Sequence, residues 1–221
     1  MNRFLLFPFF YLLCSLSFLQ FPTFAEEKSY GEYKEWSELS QEEKDGLLAR
    51  WTKEKVMKVV EALKEGGALS EFVNKIPLSE EEIKRLESLE LSLDKAKNYD
   101  LRGIPLNKQN LQKVELPFVH LEGANLNKAD IDGADLFESK LQGAKLNGAT
   151  LKGADLTRTK LQGADLSDTE LQEADLGGAN LEGADLSDSD LKGADFFEAN
   201  LKDANLSFAN LRGAILSGAN L

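Results

Sequence analysis

The carboxy-terminal half of the chain carries a hydrophobic pattern with a period of five residues. A large apolar residue occupies every fifth position from Leu101 to Leu221, and all are Leu except Ile131 and Phe196. A second column, mostly Ala, lies two residues before these positions. A period of five fits neither an α-helix nor a β-strand, so no ordinary amphipathic element could bury all these residues on one side. The chain must therefore turn once in every repeat.

A square coil satisfies this pattern. If each pentapeptide forms one side, four of them make one coil in which every Leu and every small residue points inward. Gly often follows the Leu by two residues and supplies the positive φ of a type II corner, and coils that lack Gly can use other turns. Coils that stack like neighbouring strands lie about 4.8 Å apart, so six coils span on the order of 29 Å.

The repeats themselves resemble a known family. Ala144-Lys-Leu-Asn-Gly, Ala164-Asp-Leu-Ser-Asp and Ala184-Asp-Leu-Ser-Asp closely resemble the pentapeptide-repeat consensus Ala-(Asp/Asn)-Leu-x-x. The resemblance continues without a gap over about half of the chain. It implies an all-β solenoid, a right-handed quadrilateral β-helix of about six coils over residues 101–221. It implies little about function, since many members have no known activity and some cytoplasmic ones imitate DNA to protect gyrase from fluoroquinolones.

The first coil departs from the consensus. In Leu101–His120 the small inward residue is replaced by Ile104, Gln109, Val114 and Val119. We therefore expect this segment to be a transitional coil beneath the helices that precede it.

The region before the repeats has helical signals. Ser40-Gln-Glu-Glu43 fits a capping box, and the apolar residues from Leu47 to Leu63 predict one helix of about six turns that ends at Gly66-Gly67. A second capping box at Ser79-Glu-Glu-Glu82 predicts another helix. Residues 26–100 are thus predicted to form a small α-helical region.

Residues 1–25 have the features of a secretory signal peptide. Arg3 precedes a long apolar run, and Thr23-x-Ala25 is typical of a cleavage site. We therefore predict export to a periplasmic, lumenal or extracellular location. The alternative is an uncleaved membrane anchor, because Phe4 to Phe24 approaches the roughly 20 residues that span a bilayer.

The charge of the chain argues against direct contact with nucleic acid. The formal net charge is −12, and removal of Arg3 with the signal segment makes it −13. Residues 26–100 contain 13 basic and 19 acidic residues, and residues 101–221 contain 12 and 19, so the acidity is expected to be evenly spread. Binding to nucleic acid requires cationic patches that displace counterions, and this composition disfavours it.

A coil of four pentapeptides places one set of carboxylates on the same face. This candidate interaction surface comprises Glu115, Asp135, Asp155, Asp175 and Asp195, beside Phe137 and Phe197. Like charges about 5 Å apart repel, so the column has an energetic cost. Three interpretations stay open at this point: a hydrated acidic face, a docking surface for a basic partner, and weak Ca²⁺ binding.

The sequence offers no recognisable catalytic apparatus. His120 is the only histidine and is interpreted as a surface residue, and Cys14 is the only cysteine and lies in the signal segment. The glycines follow the period of five and not the spacing of a phosphate-binding loop. We therefore predict no catalytic residues, no cofactor and no metal site.

These patterns favour a non-enzymatic, exported protein-interaction or scaffold module with an unknown protein partner. The alternative is a DNA-mimicking inhibitor or protector of a type II topoisomerase, if the protein is cytoplasmic. After signal cleavage no membrane contact is expected. The last coil would expose Leu206, Leu211, Leu216 and Leu221, which favours a homodimer through the C-terminal coil, with fraying or a longer natural chain as the alternatives.

Overall fold

The computed structural model describes residues 36–65, 69, 73 and 98–221. A single 3₁₀ turn, Trp36–Glu38, precedes two helices, α1 (Gln41–Ala49) and α2 (Lys53–Glu65). The predicted signal segment and the capping box at Ser79 lie outside the described residues, so both stay predictions.

Residues 101–220 form six stacked coils, each of four pentapeptides. Single-residue parallel bridges join each side of a coil to the same side of the next, from Asp100–His120 to Asn200–Asn220. We number the coils 1 to 6 from Leu101, and we name their sides face A to face D, after the bridges that begin at Asp100, Pro105, Asn110 and Glu115 respectively. The predicted coil length is thereby confirmed.

The interior of the stack consists of the two predicted columns. Every apolar residue of the five-residue column from Leu101 to Leu201 is at most 2% exposed, and the small residues beside them are equally buried. Where Ser or Thr replaces Ala, the hydroxyl is hydrogen-bonded, as Ser139 Oγ donates to the Leu116 carbonyl at 2.7 Å and Thr169 Oγ1 to Ser189 Oγ at 3.0 Å. Buried polar groups require such partners, and these have them.

One pentapeptide, Ala164–Asp168, shows why the consensus has its form. Its five N–H groups donate in order to the carbonyl of Leu161 at 3.0 Å, the carbonyl of Ala144 at 3.0 Å, the carbonyl of Asp185 at 2.7 Å, the carboxylate of Asp165 at 3.2 Å and the carbonyl of Ser187 at 2.9 Å. Three of these bonds join neighbouring coils and one closes the corner. The remaining N–H, directly after the Leu, has only the Asp side chain, which explains why Asp or Asn precedes the Leu.

All corners use the same backbone conformation, whether or not they contain Gly. Gly163 has a φ of 62°, and Asp168 at the next corner has a φ of 55°. The other non-Gly corners have φ values between 53° and 61°. Corners that lack Gly could have used other turns, but they keep the same conformation as the Gly corners. Each left-handed non-Gly residue costs about 1–2 kcal/mol, and the hydrogen bonds on both sides of the corner hold it there.

The helical region begins as predicted but contains a break. Ser40 Oγ accepts a hydrogen bond from the Glu43 N–H at 3.2 Å, and the Glu43 carboxylate accepts one from the Ser40 N–H at 2.7 Å, which confirms the capping box. The prediction of one six-turn helix is wrong, because α1 ends at Ala49 and α2 starts after Thr52. Thr52 Oγ1 accepts from the Lys55 N–H at 3.2 Å and so caps a second helix.

Two of the three residues in the break bind the start of the rod. The Arg50 guanidinium holds the Asp100 carboxylate in two hydrogen bonds of 2.7 and 2.8 Å, and Trp51 Nε1 donates to the Arg102 carbonyl at 2.8 Å. Burial favours the neutral form of Asp100, but the hydrogen bonds and charges of Arg50 and Arg102 outweigh it and hold its pKa well below the usual range. The apolar side of α2 belongs to the same cluster as Leu101, so coil 1 lies beneath the helices as expected.

The segment that leads into α1 packs on a glycine corner between faces A and B. A methyl group added to Gly123 would lie 2.0 Å from the Trp36 ring, and one added to Gly103 would lie 2.7 Å from Leu48 Cδ2. Lys44 Nζ lies 5.5 Å from the centroid of the Trp36 ring. These corners therefore need Gly for contact with the amino-terminal segment as well as for the turn.

Candidate functional site: the acidic column of face D

The five predicted carboxylates form one continuous column. Parallel bridges link Glu115 to Asp135 and continue through Asp155 and Asp175 to Asp195. The next position in the column, on coil 6, is Ile215. Neighbouring backbones in this column are about 4.8 Å apart, so the structure brings together all five carboxylates that the sequence indicated.

The aspartates of this column also satisfy the backbone. The carboxylates accept the N–H two residues later, at distances of 3.0, 2.9, 2.9 and 2.8 Å, from Phe137, Thr157, Gly177 and Phe197. Glu115 differs because Pro117, two residues later, has no N–H to donate. The Asp side chains are thus fixed in position, and their orientation is part of the fold.

Repulsion along the column affects Asp135 most visibly. Burial raises the pKa of this carboxyl, the hydrogen bond from the Phe137 N–H lowers it, and the charges of Asp155 and Glu115 raise it again, with a net increase. The ionised column is therefore held together at some cost to stability.

The two predicted aromatic residues have different environments. Phe137 packs edge to face against Phe118, with ring centroids 5.6 Å apart and an interplanar angle of 77°, so it belongs to the packing of the rod. Phe197 is 50% exposed. Ile215, on the next coil of the same face, is 47% exposed and was not singled out from the sequence. The sequence feature that could have identified Ile215 is an apolar residue at a position that is acidic in every earlier coil.

The acidity of the rod is concentrated in two of its six coils. Residues 161–200, which are coils 4 and 5, contain 11 acidic residues and one basic residue, whereas residues 101–160 contain seven acidic and nine basic ones. The expectation of an even distribution is correct between the helical region and the rod but wrong within the rod. We call coils 4 and 5 the acidic belt. On face B of this belt, hydrogen bonds from the Ser187 hydroxyl and N–H hold the pKa of Asp185 below its ordinary value. Asp185 is therefore ionised at neutral pH.

His120 is not the surface residue that the sequence suggested. It is 1% exposed, its Nδ1 lies 3.1 Å from a Glu122 carboxylate oxygen, and its Nε2 lies 3.2 Å from Asn98 Oδ1. Its burial depends on packing near the junction of the rod with the preceding region, which no local pattern indicates. We interpret this cluster as structural, because both ring nitrogens are engaged in fixed polar contacts.

Within residues 36–65, 69, 73 and 98–221, no three His, Cys, Asp or Glu side chains are grouped so that they could hold a metal ion. The same stretches contain no helix with the length and apolar character needed to span a bilayer.

The family model for pentapeptide repeats matches the chain in eight copies, over residues 110–143, 118–153, 134–172, 151–188, 164–203 and 189–221. The chain belongs to the pentapeptide-repeat family. Membership implies a right-handed quadrilateral β-helix, in agreement with the four-sided coils and their parallel bridges. Pentapeptide-repeat proteins are generally non-enzymatic structural or interaction modules.

Solved structures of the same family are similar to this pentapeptide-repeat chain. Rfr23 from the cyanobacterium Cyanothece 51142 is 25% identical over 62% of this chain and 95% of its own, with a TM-score of 0.32. A pentapeptide-repeat protein of the Arabidopsis thaliana thylakoid lumen is 34% identical over 44% and 64%, with a TM-score of 0.28. QnrB1, a plasmid-mediated fluoroquinolone resistance protein, is 22% identical over 54% and 80%, with a TM-score of 0.17. No curated protein matches the chain.

Proposed function

We propose that this protein is a non-enzymatic, exported interaction module whose acidic rod docks a cationic partner protein. The observation that carries the proposal is the acidic belt of coils 4 and 5, with 11 acidic residues against one basic residue. A surface of this charge attracts cationic partners and repels nucleic acid and anionic membranes. The proposed domain organisation is a signal peptide at residues 1–25, a helical region at residues 26–100 and the rod at residues 101–221.

The rigidity of the rod supports a docking role. Asp175 and Asp195 are each held by a backbone N–H, at 2.9 and 2.8 Å, before any partner arrives. A partner would therefore meet carboxylates whose rotamers are already fixed, and less conformational entropy is lost on binding. A repeat rod presents such groups at a regular spacing of about 4.8 Å along its axis.

The interaction is tested by measuring binding to the extracytoplasmic proteins of the native host. Immobilised full-length protein is compared with a variant in which Asp165, Asp175, Asp185 and Asp195 are replaced by Asn. Asn occupies the same position in other repeats and keeps the acceptor for the N–H, as in Asn125, which accepts from Asn127 at 3.1 Å. We expect a salt-sensitive partner that is lost with the variant. A partner retained equally by both proteins would contradict the proposal.

Export has its own test, which is cell fractionation with mass spectrometry of the amino terminus in the native host. We expect the mature chain to begin at or within a few residues of Glu26. An intact Met1–Ala25 segment on cytosolic protein would contradict export, and the same segment in the membrane fraction would show an uncleaved anchor.

The second candidate is a DNA-mimicking protector or inhibitor of a type II topoisomerase. It is favoured by the same belt, since acidic side chains on all four faces of coils 4 and 5 form a charged cylinder. A supercoiling assay with added fluoroquinolone separates the two candidates. We expect no protection at equimolar protein, and protection that is lost with the Asn variant would favour mimicry.

A further inference from the structure

We propose that the carboxy-terminal part of face D is a docking site for a cationic amphipathic segment of a partner protein. This inference rests on the proposed function and adds the place and the chemistry of the contact. Its centre is the pair Phe197 and Ile215, which are 50% and 47% exposed on neighbouring coils of the same face. Phe197 lies two residues after Asp195, which bridges to Ile215, so the two side chains are diagonal neighbours on adjacent coils and one partner side chain can touch both.

The packing of the rod does not require these two apolar residues. In the five earlier coils the position of Ile215 is always acidic, and the position of Phe197 is filled by Pro117, Phe137, Thr157 and Gly177. Phe137 has a structural partner in Phe118, but no described ring contacts Phe197. Single exposed apolar residues are common on protein surfaces, whereas two adjacent ones, one of them at a position that is acidic in every earlier coil, form a patch.

The coil before Phe197 leaves space for a partner. Gly177 and Gly178 remove the side chains from this side of coil 4, so that Asp175 is the only side chain that projects from its outward surface. Gly177 does not have a positive φ, and a methyl group there would lie 3.1 Å from the Asp175 carboxylate. Gly at this position therefore keeps the surface beside Asp175 and Phe197 open for reasons other than the turn.

The charges around the patch specify the partner. Asp175 and Asp195 lie next to the apolar pair, and no described Lys or Arg is within 4.0 Å of either carboxylate, while Arg158 on the same face pairs with Glu138 at 3.6 Å. Two carboxylates on rungs about 4.8 Å apart match Lys side chains one helical turn apart, which are about 5–6 Å apart. A helix with Leu or Phe on the same side as such a Lys pair would place its apolar side chain over Phe197 and Ile215.

The test uses a synthetic amphipathic Leu/Lys helical peptide as the probe, with fluorescence anisotropy on the full-length protein. The variant Phe197→Thr with Ile215→Asn introduces Thr, which coil 3 carries at the equivalent position of face D, and Asn, which precedes the inward Leu on other faces, as Asn205 does. The matched control is Phe208→Ser, which removes an aromatic residue that is 89% exposed at the corner between faces B and C. We expect about tenfold weaker binding for the double variant, because the apolar contact is lost, and less than a twofold change for the control.

An all-Lys peptide of equal charge distinguishes the site from general attraction. We expect it to bind more weakly than the Leu/Lys peptide, to lose affinity with Asp175→Asn and Asp195→Asn, and to be insensitive to Phe197→Thr. If the Phe197 and Phe208 variants weaken the Leu/Lys peptide equally, the docking site is refuted while electrostatic docking stands. If neither peptide binds at low ionic strength, both the docking site and the proposed function are refuted.

Discussion

Replacement of Gly123 by Ala tests how the amino-terminal segment is attached to the rod. Gly163→Ala is the matched control, because the two glycines occupy the same corner on different coils, with φ values of 64° and 62°. Both changes incur the same left-handed strain, about 1–2 kcal/mol. Only the methyl group at position 123 meets a side chain, at 2.0 Å from Trp36, whereas no atom lies within 4 Å of the one at position 163.

The extra cost of Gly123→Ala follows from the displacement of the Trp36 ring. If the ring moves off the corner and exposes about 80 Å² of apolar surface, the loss is about 2 kcal/mol. Loss of the Lys44 contact, 5.5 Å from the ring centroid, adds about 0.5 kcal/mol. We therefore expect the amino-terminal segment to be destabilised by about 2–3 kcal/mol relative to Gly163→Ala, since these two losses add.

Tryptophan fluorescence can report this displacement directly. The chain has two Trp residues, so a Trp51→Phe background leaves Trp36 as the single reporter. We expect red-shifted emission and stronger iodide quenching for Gly123→Ala, and spectra unchanged from the background for Gly163→Ala. Identical spectra for the two variants would refute the packing of Trp36 on this corner.

Three other predictions concern the rod. Asp135→Asn should stabilise the protein by about 0.5–1 kcal/mol at neutral pH, because it removes the cost of partly burying an ionised carboxylate and the screened repulsion from two neighbours, and it keeps the acceptor. The pKa of Asp135 is raised in the folded state, so ionisation of this carboxyl costs stability above that pKa. Chemical denaturation should therefore show that the stability advantage of Asn vanishes as the pH falls through this pKa toward about 4. Leu161→Asp and Leu166→Asp should each unfold the rod, because both positions are 0% exposed and a buried carboxylate costs several kcal/mol. Thermal melting unchanged in both variants would show that the Leu column does not face the interior of the rod. Finally, we propose self-association through coil 6, where Leu216 is only partly buried; sedimentation should show a dimer that Leu216→Lys dissociates, and a monomer at every concentration would exclude it.

The regular part of the fold could be predicted because its information is local and repeated. Leu161 and its equivalents are buried at a spacing that only a turning chain can satisfy, and Ser40 caps its helix through a residue three positions away. The break after α1 could not be predicted, since Arg50 leaves the helix to bind Asp100, a partner far along the chain. The burial of His120 likewise depends on tertiary packing.

The candidate site was predictable to the extent that it follows the period of four pentapeptides. That period identified the carboxylate column, but it could not show that Phe137 would pack against Phe118 while Phe197 stayed exposed. Ile215 was missed because the prediction considered the acidic residues of the column and not the position at which an apolar residue replaces them. Glycines such as Gly123 were interpreted through their φ alone, because the approach of Trp36 comes from a distant segment.

Photo-crosslinking in the native host is a direct test of whether face D binds a protein. Benzoylphenylalanine replaces Phe197 in one strain and Phe208 in another, so that the two reporters differ only in their place on the rod. We expect a discrete cross-linked partner from position 197, absent from position 208 and lost when Asp175 and Asp195 are changed to Asn. The same adducts from both positions, or an adduct at 197 that survives neutralisation of these two carboxylates, would contradict it.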